Sequence, residues 1–299
     1  GQSGRSGPVF DPATGRERAR VAWASVEETD LAVAAARGAF SHWREASISA
    51  RVQVMFRVRG LLEAAREELA EMISQEHGKT VPDALGEVQR GLETVEFACG
   101  IAQLLKGDAC QQVSAGIDLN SFREPLGVVG CITPFNFPAM VPLWMVPLAI
   151  ACGNTVVLKP SEETPLCGQA YADVLNELLP EDVLVVVHGA DDQGKALVQS
   201  DADMIAFTGS REVGKHIMRE ASGTLKRVVL ELGGKDPMIV LDDADIEKAA
   251  KFAAFNSFRN CGQVCVSTER IFVLESIADE FEAALTQLAS ALQVGDGLE

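Results

Sequence analysis

The 299-residue chain contains no glycine fingerprint of the form G-x-G-x-x-G, no cysteine pair matched by a second pair, and no charge between Glu124 and Lys159. The first absence removes the usual dinucleotide signature. The second removes a structural zinc site, because Cys261 and Cys265 have no further ligands at metal spacing, and no metal is expected. The seven cysteines are odd in number and irregularly spaced, which predicts reduced thiols and a cytoplasmic setting. An uncharged stretch above about 18 residues is a candidate membrane span. Here Pro125, Pro134, Pro138, Pro142 and Pro147 cut it into pieces no lipid-crossing helix would tolerate, so it reads as a buried strand, turn, helix and strand. Positive charge is also scarce: 26 Lys and Arg stand against 43 Asp and Glu, a net charge of −17 that argues against a nucleic-acid partner. Residues 1–5 lack the basic and apolar pattern of a targeting peptide, and the absence of an initiator methionine reads as a fragment of a longer protein.

What is present is ordered in three stretches. Residues 27–103 carry apolar side chains at spacings of three and four, such as Leu61, Leu62, Ala65, Leu69, Met72 and Ile73, and predict a helical layer. Residues 108–113 and 117–122 alternate about Ala115-Gly116, a β-hairpin expected to reach a neighbouring subunit. From residue 126 short β-branched runs, at 127–132, 155–158, 183–187, 204–207, 227–230 and 238–241, are separated by helical lengths. Unalternating apolar strands with intervening helices predict an α/β fold with a doubly wound parallel sheet. Helix starts are marked by Thr164-Pro165, Ser210 and Asp245. A last strand and helix occupy 270–274 and 276–292, and a second domain begins near Gly233.

Several segments carry chemistry. Gly209-Ser210-Arg211-Glu212-Val213-Gly214-Lys215 meets most of the P-loop spacing, with 238–242 as a possible acidic strand, but residue 216 is His where magnesium coordination needs Ser or Thr. Residues 189–195 repeat the same near-match, so a P-loop nucleotide-binding protein stands only as a minor alternative. Gly209 and Ser210 still suit a pyrophosphate at a helix N-terminus, or simply a tight turn. Cys265 follows a helical run and is either a nucleophile or buried filler. Glu231 ends a strand before Gly233-Gly234, where α/β ligands bind, and Asn136 is either a turn-former or an amide donor aimed at an oxyanion. The four histidines are isolated and read as structural or exposed.

Taken in order, Pro134-Phe135-Asn136-Phe137-Pro138, Lys159-Pro160-Ser161-Glu162, Phe207-Thr208-Gly209-Ser210, Glu231-Leu232-Gly233-Gly234-Lys235 and Gly262-Gln263-Val264-Cys265 resemble the NAD(P)-dependent aldehyde dehydrogenase superfamily. The resemblance runs from about Pro12 to the last residue, and the 34-residue step from Glu231 to Cys265 matches the family's separation of base and nucleophile. It implies a small aldehyde as substrate, Cys265 as nucleophile, Asn136 and the Cys265 amide as oxyanion donors, and Glu231 as the base that hydrolyses the thioester. It further implies NAD, with NADP disfavoured by Glu162. Lys159 and Glu162 would lie at the adenosine ribose, Gly209 and Ser210 at the pyrophosphate, and Ile132, Thr133, Ser161, Gly189, Val213 and Leu232 at other cofactor contacts. The implied organisation is an NAD-binding domain over 1–106 and 126–232, an oligomerisation hairpin over 107–125 and the start of a catalytic domain over 233–299, in a homodimer or homotetramer.

Residues 86–100 and 134–145 are most similar to methylmalonate-semialdehyde dehydrogenases, which pass the acyl group to coenzyme A. That subfamily lacks a glutamate base, whereas Glu231 is present, and of its two substrate-binding arginines only Arg90 has a counterpart, since Val264 precedes the nucleophile. A hydrolytic aldehyde dehydrogenase is therefore expected ahead of the acylating type. The family's later segment would lie beyond Glu299, which leaves turnover by this chain alone in question.

Overall fold

The chain is described by a computed structural model over residues 4–299. It begins with two antiparallel strands, β1 (Ser6–Asp11) and β2 (Arg16–Ala22), which the sequence pattern does not announce. Their turn is local chemistry: the Asp11 carboxylate accepts from Ala13 N and the Thr14 hydroxyl, and Gly15 supplies a φ of 69°.

The predicted helical layer is five helices. Ser25 and Glu28 form a reciprocal capping box that starts α1 (Val26–Trp43), and Ser47 caps α2 (Ile48–Ala64). The third, α3 (Arg66–His77), stops at Gly78 in the left-handed conformation. Thr80 caps α4 (Val81–Cys99), and a short α5 (Ile101–Leu104) follows. The predicted hairpin forms as β3 (Ala109–Ser114) and β4 (Ile117–Asn120), turning at Gly116, with every residue of both strands exposed.

Five strands make the parallel sheet: β5 (Val128–Ile132), β6 (Thr155–Lys159), β7 (Leu184–Val186), β8 (Met204–Gly209) and β9 (Arg227–Leu232), in the order β7-β6-β5-β8-β9. The chain winds outward from β5 to β7 and then resumes on the other side at β8, which puts a topological switch point between β5 and β8. The connecting helices are α6 (Met140–Ala151), α7 (Pro165–Asn176), α8 (Asp191–Gln199) and α9 (Arg211–Ser222). Leu92, Leu143, Val156 and Tyr171 belong to the core on one face of the sheet, and Val33, Leu197, Ile205 and Ile217 to the core on the other. Both faces being covered explains why β5 and β6 are buried at every residue. The uncharged stretch is thus β5, α6 and β6; among the described residues no helix is long and apolar enough to cross a membrane. Close packing of α4 on α6 depends on Gly91, where a Cβ would meet Leu143 Cδ1 at 2.3 Å.

Two expectations need correction. The run at 238–241 does not join the large sheet. It is β10 (Asp236–Val240), which pairs in parallel with β11 (Thr268–Val273) as a separate two-stranded sheet. With α10 (Ile246–Phe258) and α11 (Ala278–Ser290) it closes a small core of Val240, Ala250, Ala253 and Phe281. Gly233-Gly234 lies between β9 and this smaller sheet. Thr164 is the other correction: it makes no side-chain cap, and its hydroxyl is buried without a partner among the described residues. The start of α7 is satisfied from α3 instead, because Glu76 accepts from Leu166 N at 2.9 Å and Cys167 N at 2.8 Å.

Candidate active site

At the carboxyl ends of β5, β6 and β8 a cavity of about 730 Å³ opens beside the switch point. Ile132, Thr133, Lys159, Ser161, Glu162, Gly209, Ser210 and Val213 all line it. Gly189 does not; its neighbours Ala190 and Asp191 do, while Gly189 shapes the turn, where a Cβ would meet the Gln193 side chain at 2.2 Å. Lys159 is buried, donates to Pro160 O at 3.0 Å and pairs with Glu162 at 3.3 Å. Burial pushes its ammonium below the usual lysine range, and Glu162 opposes that shift. Ser210 caps α9 by accepting from Val213 N. The Thr208 hydroxyl is buried without a partner among the described residues at the cavity wall, a polar atom left for a ligand to satisfy.

The arrangement differs from a P-loop. Lys215 pairs with Glu212 on its own helix at 3.3 Å, and β10, the candidate for an acidic strand, lies in a separate two-stranded sheet with β11.

A second cleft, of about 300 Å³, shares Pro134, Phe135, Thr208, Gly209 and Ser210 with the first. Asn136, Trp144, Leu232 and Cys265 are also in its wall. Asn136 Nδ2 donates to Gln263 O at 2.9 Å, and because a primary amide has two N–H groups the second remains for a bound oxygen. The nucleophile candidate reaches the cleft on a turn with three successive left-handed residues, Asn260 (φ 55°), Cys261 (φ 56°) and Gly262 (φ 72°). Cys265 is half-buried, whereas Cys131 and Cys167 are deep in the core, with the Cys131 thiol pushed up to about 12 by burial. The Cys265 thiol is itself held above the usual range, first by burial and then by the charge of Glu231, with the amides of Cys265 and Val266 pulling the other way.

Glu231 thus lies close enough to be felt electrostatically, yet it is exposed on β9 and does not line the cleft; the adjacent Leu232 and Gly233 do. A carboxylate that does line it is Glu269, paired with Lys235. Arg90 is exposed beside the cleft, its guanidinium 5.7 Å from the centre of Phe137, a wall residue, and its Nε 3.1 Å from Met140 Sδ. Sequence spacing does not reveal the support beneath. Lys79 and Glu87 form an ion pair with no side-chain exposure, Lys79 Nζ donates to Asn136 O at 2.8 Å, and Glu87 accepts from Ala139 N and Met140 N. Among the described residues, no group of three or more His, Cys, Asp or Glu is placed to hold a metal ion.

A parallel sheet with a ligand cavity at its switch point and a cysteine in the adjoining cleft defines an α/β protein of the dinucleotide-binding kind. The chain belongs to the aldehyde dehydrogenase family, whose model matches residues 1–299. It is 42% identical over 293 residues to a malonate-semialdehyde dehydrogenase of Lacticaseibacillus casei, an alignment covering 97% of this chain and 60% of that protein. Among solved structures it superposes on a methylmalonate-semialdehyde dehydrogenase from Oceanimonas doudoroffii with a TM-score of 0.96 at 41% identity, covering 99% of this chain and 61% of the other. An NAD-dependent aldehyde dehydrogenase from Sinorhizobium meliloti gives 0.95 at 39% identity, covering 100% and 61%. The chain therefore spans about three-fifths of the length of the relatives it matches.

Proposed function

We propose that this chain supplies the dinucleotide site and the nucleophile of an enzyme that oxidises an aldehyde to a carboxylic acid, with NAD as acceptor in preference to NADP. One observation carries this: the cleft holding Cys265 and Asn136 shares a wall with the larger cavity, so a cofactor in one would meet a thiol adduct in the other. The unpartnered Thr208 hydroxyl, the amides at the start of α9 and the Lys159–Glu162 pair are the donors and acceptors that a dinucleotide would use. Glu162 would accept from a ribose hydroxyl and repel a 2′-phosphate.

Cys265 as thiolate attacks the aldehyde carbon, and the oxygen gains a full negative charge. Asn136 Nδ2 and the Cys265 amide hold that charge. The bound dinucleotide would supply the hydride acceptor that leaves a thioester on the sulfur. Glu231 then takes a proton from the water that opens it. Replacing Cys265 by Ala in the natural polypeptide that carries this chain should abolish NADH formation across a panel of aldehydes. Retention of activity rejects the assignment, and stabilisation by magnesium ATP rather than by NAD would point back to the P-loop alternative.

The substrate class that fits is a small semialdehyde. Its carboxylate would face Arg90, which reaches the wall through Phe137. A second reading, acyl transfer to coenzyme A, is favoured by the exposed position of Glu231 outside the cleft lining. A strict dependence of turnover on coenzyme A decides for it. In this proposal residues 1–106 and 126–232 bind the cofactor and 233–299 begin the catalytic unit. Segment 107–125 reaches a second subunit in a homodimer or homotetramer, as the exposed Val113, Ile117 and Leu119 of the hairpin favour. Seven free thiols fit a cytoplasmic location.

A further inference from the structure

Asn260 occupies a conformation that glycine would adopt without strain, and the residue is 4% exposed. What the position gains from asparagine is the amide. Its Nδ2 donates to Asn136 O at 3.0 Å and to Gln263 O at 3.0 Å, so both of its N–H groups are committed, one to each loop that lines the cleft. A flipped amide would set Oδ1 against two carbonyl oxygens, so the acceptors fix the orientation. The same residue is tied to a third element through its backbone N–H, which donates to Asp83 Oδ2 at 3.1 Å on α4. Gln263 O also receives Asn136 Nδ2, and Asn136 O also receives Lys79 Nζ, so both carbonyls have two donors.

We propose that Asn260 is a positioning residue that sets the oxyanion loop of Asn136 in register with the nucleophile loop of Cys265, by one buried amide donating to a carbonyl of each. The inference rests on the reading of those two residues given above. It follows that losing the amide lets the two loops shift separately, while the parallel sheet and the dinucleotide cavity stay as they are. Displacing a reacting group by about 1 Å costs on the order of 100-fold in rate.

The test uses Asn260→Gly, which keeps the left-handed backbone and removes only the side chain, together with the near-isosteric Asn260→Asp, in the natural polypeptide that carries this chain. Hydrogen exchange followed by mass spectrometry should rise about fivefold in segments 133–138 and 260–266 together, with β5, β6 and β8 unchanged. In the same variants kcat for aldehyde oxidation should fall about 100-fold with KM and the NAD Kd within about twofold, while iodoacetamide alkylation of Cys265, which develops no oxyanion, stays within about threefold. Faster exchange in one segment alone, or in neither, overturns the proposal, as does full turnover by Asn260→Gly or an equal loss of alkylation and turnover. Retained NADH formation by Cys265→Ala would instead reject the underlying reading and leave the exchange result standing.

Discussion

Lys79 Nζ lies 2.5 Å from a carboxylate oxygen of Glu87, and neither side chain touches solvent. The pair sits under the loop that carries Asn136: Lys79 donates to the Asn136 carbonyl, and the other Glu87 oxygen accepts from Ala139 N and Met140 N at the start of α6. Burial pushes the Lys79 ammonium below the ordinary lysine range, and Glu87 counters it. A buried pair of this kind is worth little against an apolar substitute, yet breaking it is costly because one charge is left alone. Glu87→Gln should therefore lower unfolding free energy by about 3–5 kcal/mol in urea titrations. Adding Lys79→Met to it should recover part of the loss; a double variant less stable than Glu87→Gln would contradict the account.

The thiol of Cys265 predicts a pH profile. Burial and then the Glu231 charge hold it above the range of a free cysteine, about 8.5. Alkylation at Cys265, mapped by mass spectrometry, should climb with pH and reach its midpoint above that value. Glu231→Gln removes a like charge and should move the midpoint down. A midpoint at or below the free-thiol value would sink this picture.

His77 is 7% exposed and stacks on Phe135 with ring centres 6.2 Å apart. Burial, with the Lys79 charge second, lowers its pKa to about 3. The unfolded ring titrates near about 6.5, so the native protein binds fewer protons than the unfolded chain between those values. Stability is accordingly full above about pH 6.5 and falls toward pH 3, by at most roughly 1.4 kcal/mol per pH unit from this one group. His77→Phe should flatten that part of the stability curve while keeping the stack. An unchanged slope would show that other groups set it.

The helix α7 offers a direct comparison of two candidate caps. Glu76→Ala strips the acceptor from Leu166 N and Cys167 N and should cost about 1–2 kcal/mol in denaturant unfolding. Thr164→Ala removes a hydroxyl that caps nothing and should cost less. The reverse ranking would restore Thr164 to the role its position implied.

Much of this molecule was legible in the chain itself, because the signals were local. Apolar spacing marked α1 to α4, alternation about Gly116 marked the exposed hairpin, and β-branched runs marked β5 to β9, since each pattern reflects which faces of one element are buried. Residues from each of the ordered motifs line one or both of two adjoining cavities, although Glu231 lines neither. The N-terminal strand pair escaped detection because its residues, SGPVFD and RERARVA, carry too few apolar side chains to mark the alternating burial that the strands show.

Only the tertiary structure decided what lies beneath the site. Nothing local connects Glu76 to the start of α7, Glu87 to the start of α6, or Asn260 to Asn136, since each hydrogen bond joins residues that are far apart in sequence and adjacent only after the layers pack. The separation of β10 from the large sheet belongs with these, because pairing depends on which edge a strand meets rather than on the strand's own residues. Composition and period determine the elements; the partners of buried polar groups are chosen when packing removes water and leaves each donor to find the nearest acceptor.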